Sequence, residues 1–423
     1  MKKTSSMGLF WMVRRSLWQH ALSTAVTVGS TALACGLTMA VFGMNRQAYD
    51  AFTGGRSGFD AVLGARGSAL QLVLNTVFQL ETSPGNIPWS LYKSIESDPR
   101  VRLAIPYAVG DNYHGFRLVG TTEKIFNGFE YQKGRHFEVH PGERFFDPNK
   151  REAVIGSYVS QKTGLKTGSI FSPYHGLIYD PNMQHDEKYV VTGILKPTNT
   201  PSDRVIWIPI DGIYRMKGHV LRGSGREYEA REGIQIPDSD KEVSAVMLKF
   251  TSPQIGFVMD QTINKQGKVA TLAWPIGQVM AELFNKIGWV NRILTLVAYL
   301  VMLVAAGSIL ASIYNSINER RRDFAIFRAL GAKRRTVFSV IVLEAGFMAA
   351  LGSVCGFLIY ALLLASASIV IRSQTGVVLE VFRFHPALIC VPCEMVMIGV
   401  LAGIVPAVKA YKTDVAENLN PVS

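Results

Sequence analysis

The sequence predicts an α-helical membrane protein with four transmembrane helices and one large mixed α+β domain outside the membrane. Hydrophobic residues make up 48% of the 423 positions and charged residues only 18%, a balance that excludes a disordered tail and argues against a wholly soluble enzyme. Apolar stretches long enough to cross a bilayer core of about 30 Å occur four times. Between the first and second stretches, strand-like and helix-like patterns are interleaved.

The order of elements follows from these apolar runs and their polar flanks. The third run is longer than a bilayer requires, so it must tilt, project beyond the lipid or break near Gly352 or Gly356. The predicted segments are an amphipathic N-terminal segment (1–20), a first span (21–45), an extracytoplasmic domain with stalk ends (46–286), a second span (287–317), a cytoplasmic connection (318–335), a third span (336–371), a short outer loop (372–386), a fourth span (387–410) and a cytoplasmic tail (411–423).

Positive charge next to the apolar runs predicts the orientation. Residues 1–20 carry four basic residues and no acidic one, and residues 318–335 carry seven basic residues against two acidic ones. Cytoplasmic flanks of membrane proteins have this excess, so both termini are expected in the cytoplasm and the large domain outside. Most of the net charge of +12 lies in these flanks, which argues against nucleic acid as a partner.

The large domain has the pattern of a mixed sheet with short helices. A further helix, 276–290, places Val279, Leu283, Ile287 and Val290 on one stripe, and it is expected to run without a break into the second span. The predicted strands are 101–108, 116–121, 189–195, 205–210 and 243–250, and the predicted helices are 69–80, 88–97 and 157–163.

Catalytic motifs are missing from the sequence. It has no Gly-rich loop that ends in Gly-Lys-Ser or Gly-Lys-Thr, so ATP hydrolysis by the P-loop route is not expected of this chain. Nucleophile elbows and zinc-protease helices are absent too. Cys390 and Cys393 have redox-like spacing, but they lie in an apolar span, which favours simple packing.

The cytoplasmic connection is the most informative segment. Apolar residues recur near helical spacing among charges, and a glycine follows as a helix C-cap, so a short amphipathic helix is expected at the membrane surface. This helix either faces lipid headgroups or binds a partner. Its singled-out residues are Glu319, Arg320, Arg321, Arg322, Phe324, Ile326, Phe327, Arg328, Leu330 and the capping Gly331.

This connection resembles the signature of FtsX-like permeases, the transmembrane subunits of type VII ABC transporters of the MacB and LolC/LolE type. Arg328-Ala-Leu-Gly-Ala332 and Leu343-Glu-Ala345 match the family signature as they stand. Pro406-Ala407 and the tail pattern from Asp414 to Leu419 are similar to the family's closing motif, with Val415 in place of the usual proline. In the large domain, 152–157, 163–168 and 189–195 resemble the core of the MacB-type periplasmic domain more weakly.

The resemblance implies a function and a set of partners. The connecting helix would dock on a separate P-loop ABC ATPase, which uses ATP and Mg, and the first two spans would pass its motion to the outer domain. Such mechanotransmission exports or extracts a substrate from the outer leaflet or periplasm. The implied location is the bacterial inner membrane, with a second permease copy in a homodimer or heterodimer and a periplasmic adaptor or lipoprotein as a further candidate partner. The alternative is an FtsX-type scaffold that activates an extracytoplasmic partner.

Two carboxylates interrupt the apolar runs. Glu344 lies near the cytoplasmic arginines, where contact between helices is favoured over a proton relay. Glu394 lies deeper in the fourth span, where an unpaired carboxylate is costly, and a helix–helix hydrogen bond is expected for it.

Two further patterns are open to two interpretations each. Small residues at one-turn spacing in the first span permit close helix packing, either in a dimer or within one subunit; they are Ala25, Gly29, Ala32 and Gly36. In the large domain, His175, His185, Asp186 and Glu187 either coordinate zinc or are ordinary surface residues. No other cofactor is expected to bind this chain.

Overall fold

The structure is a computed structural model that describes residues 4–54, 58–216 and 236–412. It divides into two compact units. The helical unit comprises the described residues of Met1–Gln47, Gly288–Ser368 and Leu379–Ser423, and the sheet unit comprises those of Ala48–Ile287 and Ile369–Val378. Most of the predicted tail (411–423), including the pattern from Asp414 to Leu419, lies outside the described residues.

The described residues form helices and strands in the following order. The helices are α1 (Thr4–Gln19), α2 (Ala21–Thr53), α3 (Ala69–Thr76), α4 (Trp89–Glu96), α5 (Ser157–Thr163), α6 (Ile210–Tyr214), α7 (Ile255–Asp260), α8 (Ile276–Lys286), α9 (Gly288–Glu319), α10 (Arg321–Ala329), α11 (Arg334–Thr375) and α12 (Ala387–Lys412). The strands are β1 (Ala61–Ala65), β2 (Ile87–Pro88), β3 (Val101–Tyr113), β4 (Phe116–Thr121), β5 (Glu152–Ile155), β6 (Ile170–Phe171), β7 (Tyr174–His175), β8 (Tyr189–Ile194), β9 (Ile206–Pro209), β10 (Glu242–Val243), β11 (Ala245–Phe250) and β12 (Ala270–Ala273).

The sheet unit is built on a mixed sheet of strand order β12-β1-β11-β3-β4-β9-β5-β8-β6, with β7 paired to β3. Strands β3 and β4 form a tight hairpin, because His114 and Gly115 both adopt positive φ, as a two-residue turn between twisted strands requires. Strand β4 then pairs in parallel with β9, and β5 in parallel with β8. The alternating patterns at 116–121 and 189–195 become β4 and β8.

Both faces of this sheet are covered, because successive strand residues point to opposite sides. In β9, Ile206 and Ile208 belong to one buried cluster and Trp207 to another. Helices α4 and α6 contribute Tyr92 and Ile213 to the first cluster. On the other face, α3 and α8 contribute side chains such as Leu72, Val73, Ile276 and Met280 to the second. Apolar residues on both faces of the strands thus give the unit two cores.

In the described part of the chain, four helices, α2, α9, α11 and α12, are long and apolar enough to cross a membrane. The predicted class, four transmembrane helices with a mixed α+β domain, is confirmed. Helix α11 continues through Gly352 and Gly356 without a break, and its 42 residues exceed what a bilayer core requires. Its last residues, from Ile369, belong to the sheet unit.

The prediction that the helix at 276–290 runs without a break into the second span is wrong. The stripe at 276–290 is not a single helix, because α8 ends at Lys286 and α9 begins at Gly288. Ile287 caps α8 with ψ near 0°, outside helical geometry. The break lies next to Gly288, and glycine costs about 1 kcal/mol relative to alanine inside a helix.

Glycines bring α2 and α11 close together. A side chain at Gly36 would collide with Gly356 O at 2.6 Å and with Ile359, and one at Gly352 would collide with Thr31. Gly352 and Gly356, which the sequence offered as break points, instead serve as contact points. Small residues permit this close approach of two helix backbones.

Candidate functional site

Helix α10 is a short amphipathic helix between two membrane-spanning candidates. It ends in a Schellman motif: Gly331 adopts φ +100°, its N–H donates to Arg328 O at 3.0 Å, and the Ala332 N–H donates to Phe327 O at 3.0 Å. Glycine at this position tolerates the left-handed backbone, so the chain turns sharply before α11 starts at Arg334. The signature sequence thus has a clear structural reason for its glycine.

The apolar side chains of α10 divide into covered and uncovered ones. Ala325 is buried, and Phe324 is half-buried with the Arg320 guanidinium 5.2 Å from its ring. Ile326 and Phe327 remain exposed, and Leu330 just after the helix is 82% exposed. The remaining singled-out residues of this segment are exposed or half-buried: Glu319, Arg321, Arg322, Arg328 and Gly331. The result is an apolar patch of Ile326, Phe327 and Leu330 in a basic surrounding, called the α10 patch below.

A buried polar cluster fixes the base of α10. The Ser16 hydroxyl donates to Glu344 Oε1 at 2.6 Å, and Arg320 Nη1 lies 3.7 Å from Glu344 Oε2 and also donates to Ser16 Oγ. Ser16 is fully buried, and the side chains of Arg320 and Glu344 are nearly so. Glu344 therefore joins α1, the residue that precedes α10, and α11. The sequence predicted Glu344 as a helix contact but missed Ser16 as its partner.

Glu394 is the second carboxylate within an apolar run, and its surroundings differ from those of Glu344. It is half-buried in α12, and the described part of the chain gives it no hydrogen bond or ion pair. The interhelical hydrogen bond expected for Glu394 stays a prediction. Val391 and Met395 on the neighbouring turn are buried, and Glu394 lies at the edge of this buried side of α12.

The small-residue stripe of the first span also divides in two. Ala32 and Gly36 are buried. A Cβ atom added at Gly356 of α11 would lie 3.2 Å from Ala32 O, so α11 packs closely against this part of α2. Ala25 and Gly29 are exposed, and Gly29 has nothing within 4 Å of such a position. Packing within one chain thus accounts for the second half of the stripe.

In the sheet unit, two of the predicted histidines meet an aspartate that the sequence did not single out. Asp111 of β3 lies directly opposite His175 of β7. His185 Nε2 lies 3.2 Å and His175 Nδ1 3.5 Å from Asp111 Oδ1. The three ligand atoms lie within 4.8 Å of one another. A hydrogen bond to Asp111, with its charge nearby, raises the pKa of His175 above its usual value.

The other two residues of that prediction do not join them. Asp186 is exposed, and Glu187 is half-buried and outside the cluster. The predicted set His175, His185, Asp186 and Glu187 is corrected to Asp111, His175 and His185. Asp186 lies at a bend directly after His185, and its side chain is exposed. Asp111 was missed because it lies 74 positions from His185.

Comparisons with known proteins match a family domain in the last third of the chain. Residues 295–415 match the FtsX-like permease C-terminal family. This region of the chain is an FtsX-like permease C-terminal domain. The matched region contains α10, the Schellman motif and Glu344, so the prediction from Arg328–Ala332 and Leu343–Ala345 is confirmed.

Relatives with curated names match over more of this chain. An uncharacterized ABC transporter permease of Methanocaldococcus jannaschii is 23% identical over 321 residues, 73% of this chain and 74% of the relative. The macrolide export ATP-binding/permease protein MacB of Brucella abortus is 24% identical over 229 residues, 53% of this chain. The alignment spans only 32% of that MacB protein.

Two solved structures are similar to parts of this chain. The extracellular domain of the noncanonic ABC-type transporter YknZ from Gram-positive bacteria matches with a TM-score of 0.28 and 15% identity, covering 50% of this chain and 97% of that domain. The periplasmic region of MacB from Actinobacillus actinomycetemcomitans matches with a TM-score of 0.33 and 8% identity, covering 54% of this chain and 94% of that region.

The sheet unit also contains a cavity lined by aromatic side chains. Phe52, Phe59, Phe78, Phe129 and Trp207 are among its lining residues. Its volume is about 50 Å³. A few water molecules need that much space, whereas ligand pockets usually measure about 300–1,000 Å³. This cavity is therefore too small for a typical small-molecule ligand.

Proposed function

We propose that this chain is the permease subunit of an ABC transporter and works with a separate P-loop ATPase. In this proposal the α10 patch contacts the ATPase, and the long helices pass the movement to the sheet unit, which acts on a substrate in the periplasm or outer leaflet. The chain would lie in a bacterial inner membrane with both ends of the polypeptide in the cytoplasm, paired with a second permease copy.

The observation that carries the proposal is the α10 patch. Apolar side chains in the middle of a binding surface, with charges at the rim, combine a buried anchor with electrostatic attraction. Ile326, Phe327 and Leu330 supply the apolar anchor, and Arg321 and Arg322 are exposed beside them. The fitting partner surface is an apolar groove with an acidic rim.

Contacts in two regions of α11 support the transmission step. In its first third, Glu344 accepts a hydrogen bond from Ser16 and lies next to Arg320, which immediately precedes α10. Helix α11 has 42 residues and is about 63 Å long at 1.5 Å per residue, and its residues from Ile369 belong to the sheet unit.

The far end of α11 is held by residues of the sheet unit. Arg204 donates to Gln374 O, and the Arg372 guanidinium lies 5.2 Å from the Tyr158 ring. Gly376 follows with φ +77°, and a side chain there would approach Thr200 O at 2.8 Å. A shift at the start of α11 would therefore act on the turn at residues 200–204 through several contacts.

The test replaces the anchor of the α10 patch while leaving the buried cluster intact. The chain with Phe327→Asp and Leu330→Asp should insert normally, but it should lose the ATPase and the Mg-ATP hydrolysis that co-purify with the wild-type chain from native membranes. The matched control is Phe327→Leu with Leu330→Met, which keeps the patch apolar and should retain both.

Two results would contradict the proposal. One is a wild-type chain that purifies from native membranes without ATP hydrolysis. The other is full hydrolysis with the double aspartate variant, which would make α10 a lipid-facing segment. Gel filtration in detergent checks that each variant is folded.

A further inference from the structure

We infer that Asp111, His175 and His185 form a binding site for a divalent transition-metal ion, with Zn²⁺ the best match. This inference concerns the sheet unit alone and does not depend on the proposed transport function. It rests on the register that brings the three side chains together, the distances between their ligand atoms, their burial and their chemistry.

Backbone hydrogen bonds determine the register. The pair β3–β7 places Asp111 opposite His175, and side chains opposite each other in antiparallel strands lie on the same face. The chain then turns, and residues 183–185 run back alongside residues 173–175. The His175 N–H donates to Met183 O at 2.7 Å, and the His185 N–H donates to Pro173 O at 2.9 Å. In this pairing of residues 173–175 with residues 183–185, His185 is the diagonal neighbour of His175, so both side chains lie on the same face.

The distances between ligand atoms fit a tetrahedral ion. With metal–ligand bonds of about 2.1 Å, two ligands of a tetrahedral site lie about 3.4 Å apart. The observed separations from Asp111 Oδ1 are 3.2 Å to His185 Nε2 and 3.5 Å to His175 Nδ1. The histidine rings are 5.4 Å apart between centroids and inclined by 75°, so they approach from different directions.

Burial divides the three residues into a fixed base and an open side. The side chain of Asp111 is fully buried and that of His185 is 5% exposed, whereas that of His175 is 41% exposed. An ion could therefore enter beside His175 and complete its coordination with water, as three-ligand zinc sites do.

The ligand chemistry decides which ion is expected. Two imidazoles and one carboxylate suit zinc and related first-row ions, whereas Ca²⁺ and Mg²⁺ prefer oxygen ligands alone. Bound metal would link β3 to both sides of the 173–185 segment. Because the three ligands come together only in the folded chain, zinc should also raise the unfolding temperature.

Zinc retention by the full chain tests the site. The chain is purified in detergent with an affinity tag that contains no histidine, stripped with a chelator, loaded with Zn²⁺ and desalted. Wild type should retain about one zinc per chain, and its unfolding temperature should rise with Zn²⁺ but not with Mg²⁺. Asp111→Asn and His185→Gln should weaken zinc binding at least about tenfold.

Two control variants keep this test decisive. His140→Gln removes an exposed histidine outside the cluster and should bind zinc like wild type. His175→Gln changes a partly exposed ligand, so it should stay folded and lose zinc even if a buried variant fails to express. A wild-type chain that retains no zinc, or a folded His175→Gln chain that retains as much as wild type, overturns the inference and leaves a hydrogen-bonded group.

Discussion

Two glutamates in apolar helices of the same unit have contrasting surroundings. Glu344 in α11 is buried, accepts a hydrogen bond from Ser16 and lies 3.7 Å from Arg320. Glu394 in α12 is half-buried, and no residue in the described ranges bonds to it. The same residue type, in the same kind of helix, is thus part of a charge-compensated cluster in one case and unconnected in the other.

The hydrogen-bond and ion-pair partners of an acidic residue in an apolar helix, and not only its hydrophobic surroundings, therefore decide its role. A buried carboxylate is tolerated when a cation and a hydrogen-bond donor face it. Glu344 has both, so it can hold helices together. Glu394 has neither within the described chain, so it should contribute little to the stability of this chain by itself.

The largest effect is expected for Glu344→Ala. This change leaves the Arg320 charge buried beside Ser16 without its carboxylate, and breaking a buried pair in this way costs about 3–5 kcal/mol. Thermal unfolding in detergent, followed by tryptophan fluorescence, should show a clear fall in unfolding temperature. Loss of ATPase co-purification should accompany it, because α10 follows Arg320 directly.

A double variant distinguishes a structural pair from a charge needed for function. Replacing both Arg320 and Glu344 with methionine removes the two charges together and should restore most of the stability lost in Glu344→Ala. If the double variant were less stable than the single one, the pair would not be the source of the loss.

An intermediate effect is expected for Ser16→Ala. The hydroxyl donates to Glu344 and accepts from Arg320, and its loss leaves the ion pair in place, so the free energy of unfolding should fall by about 1–2 kcal/mol. The same unfolding assay measures this change. Ser16→Thr, which keeps the hydroxyl, is the matched comparison. A loss as large as that of Glu344→Ala would mean that α1 contributes more than one hydrogen bond.

The smallest effect is expected for Glu394→Gln. Without a partner in the described chain, the carboxylate can become a neutral amide of the same size with a change within about 0.5 kcal/mol. Unfolding of the purified chain and its amount in membranes are the two measurements. A marked loss of stability would break the comparison and would point to a partner of Glu394 in another molecule.

Much of the fold was predictable because it depends on local sequence patterns. The four apolar runs became α2, α9, α11 and α12, since membrane-spanning helices satisfy their backbone hydrogen bonds internally. Period-two runs became strands such as β4 and β8. The break at Ile287 was not predictable from the apolar stripe, because helical spacing continues across a single non-helical residue.

The spans, the amphipathic helix α10 and the glycine that ends it could be predicted from the sequence, because each depends on residues within a few turns of one another. The contacts between polar groups could not be predicted in this way, because they depend on the tertiary structure. Ser16 and Glu344 are 328 positions apart, and Asp111 and His185 are 74 positions apart. Helix packing brings the first pair together and strand register the second. Neither leaves a periodic signal in the sequence, since both depend on how distant segments pack.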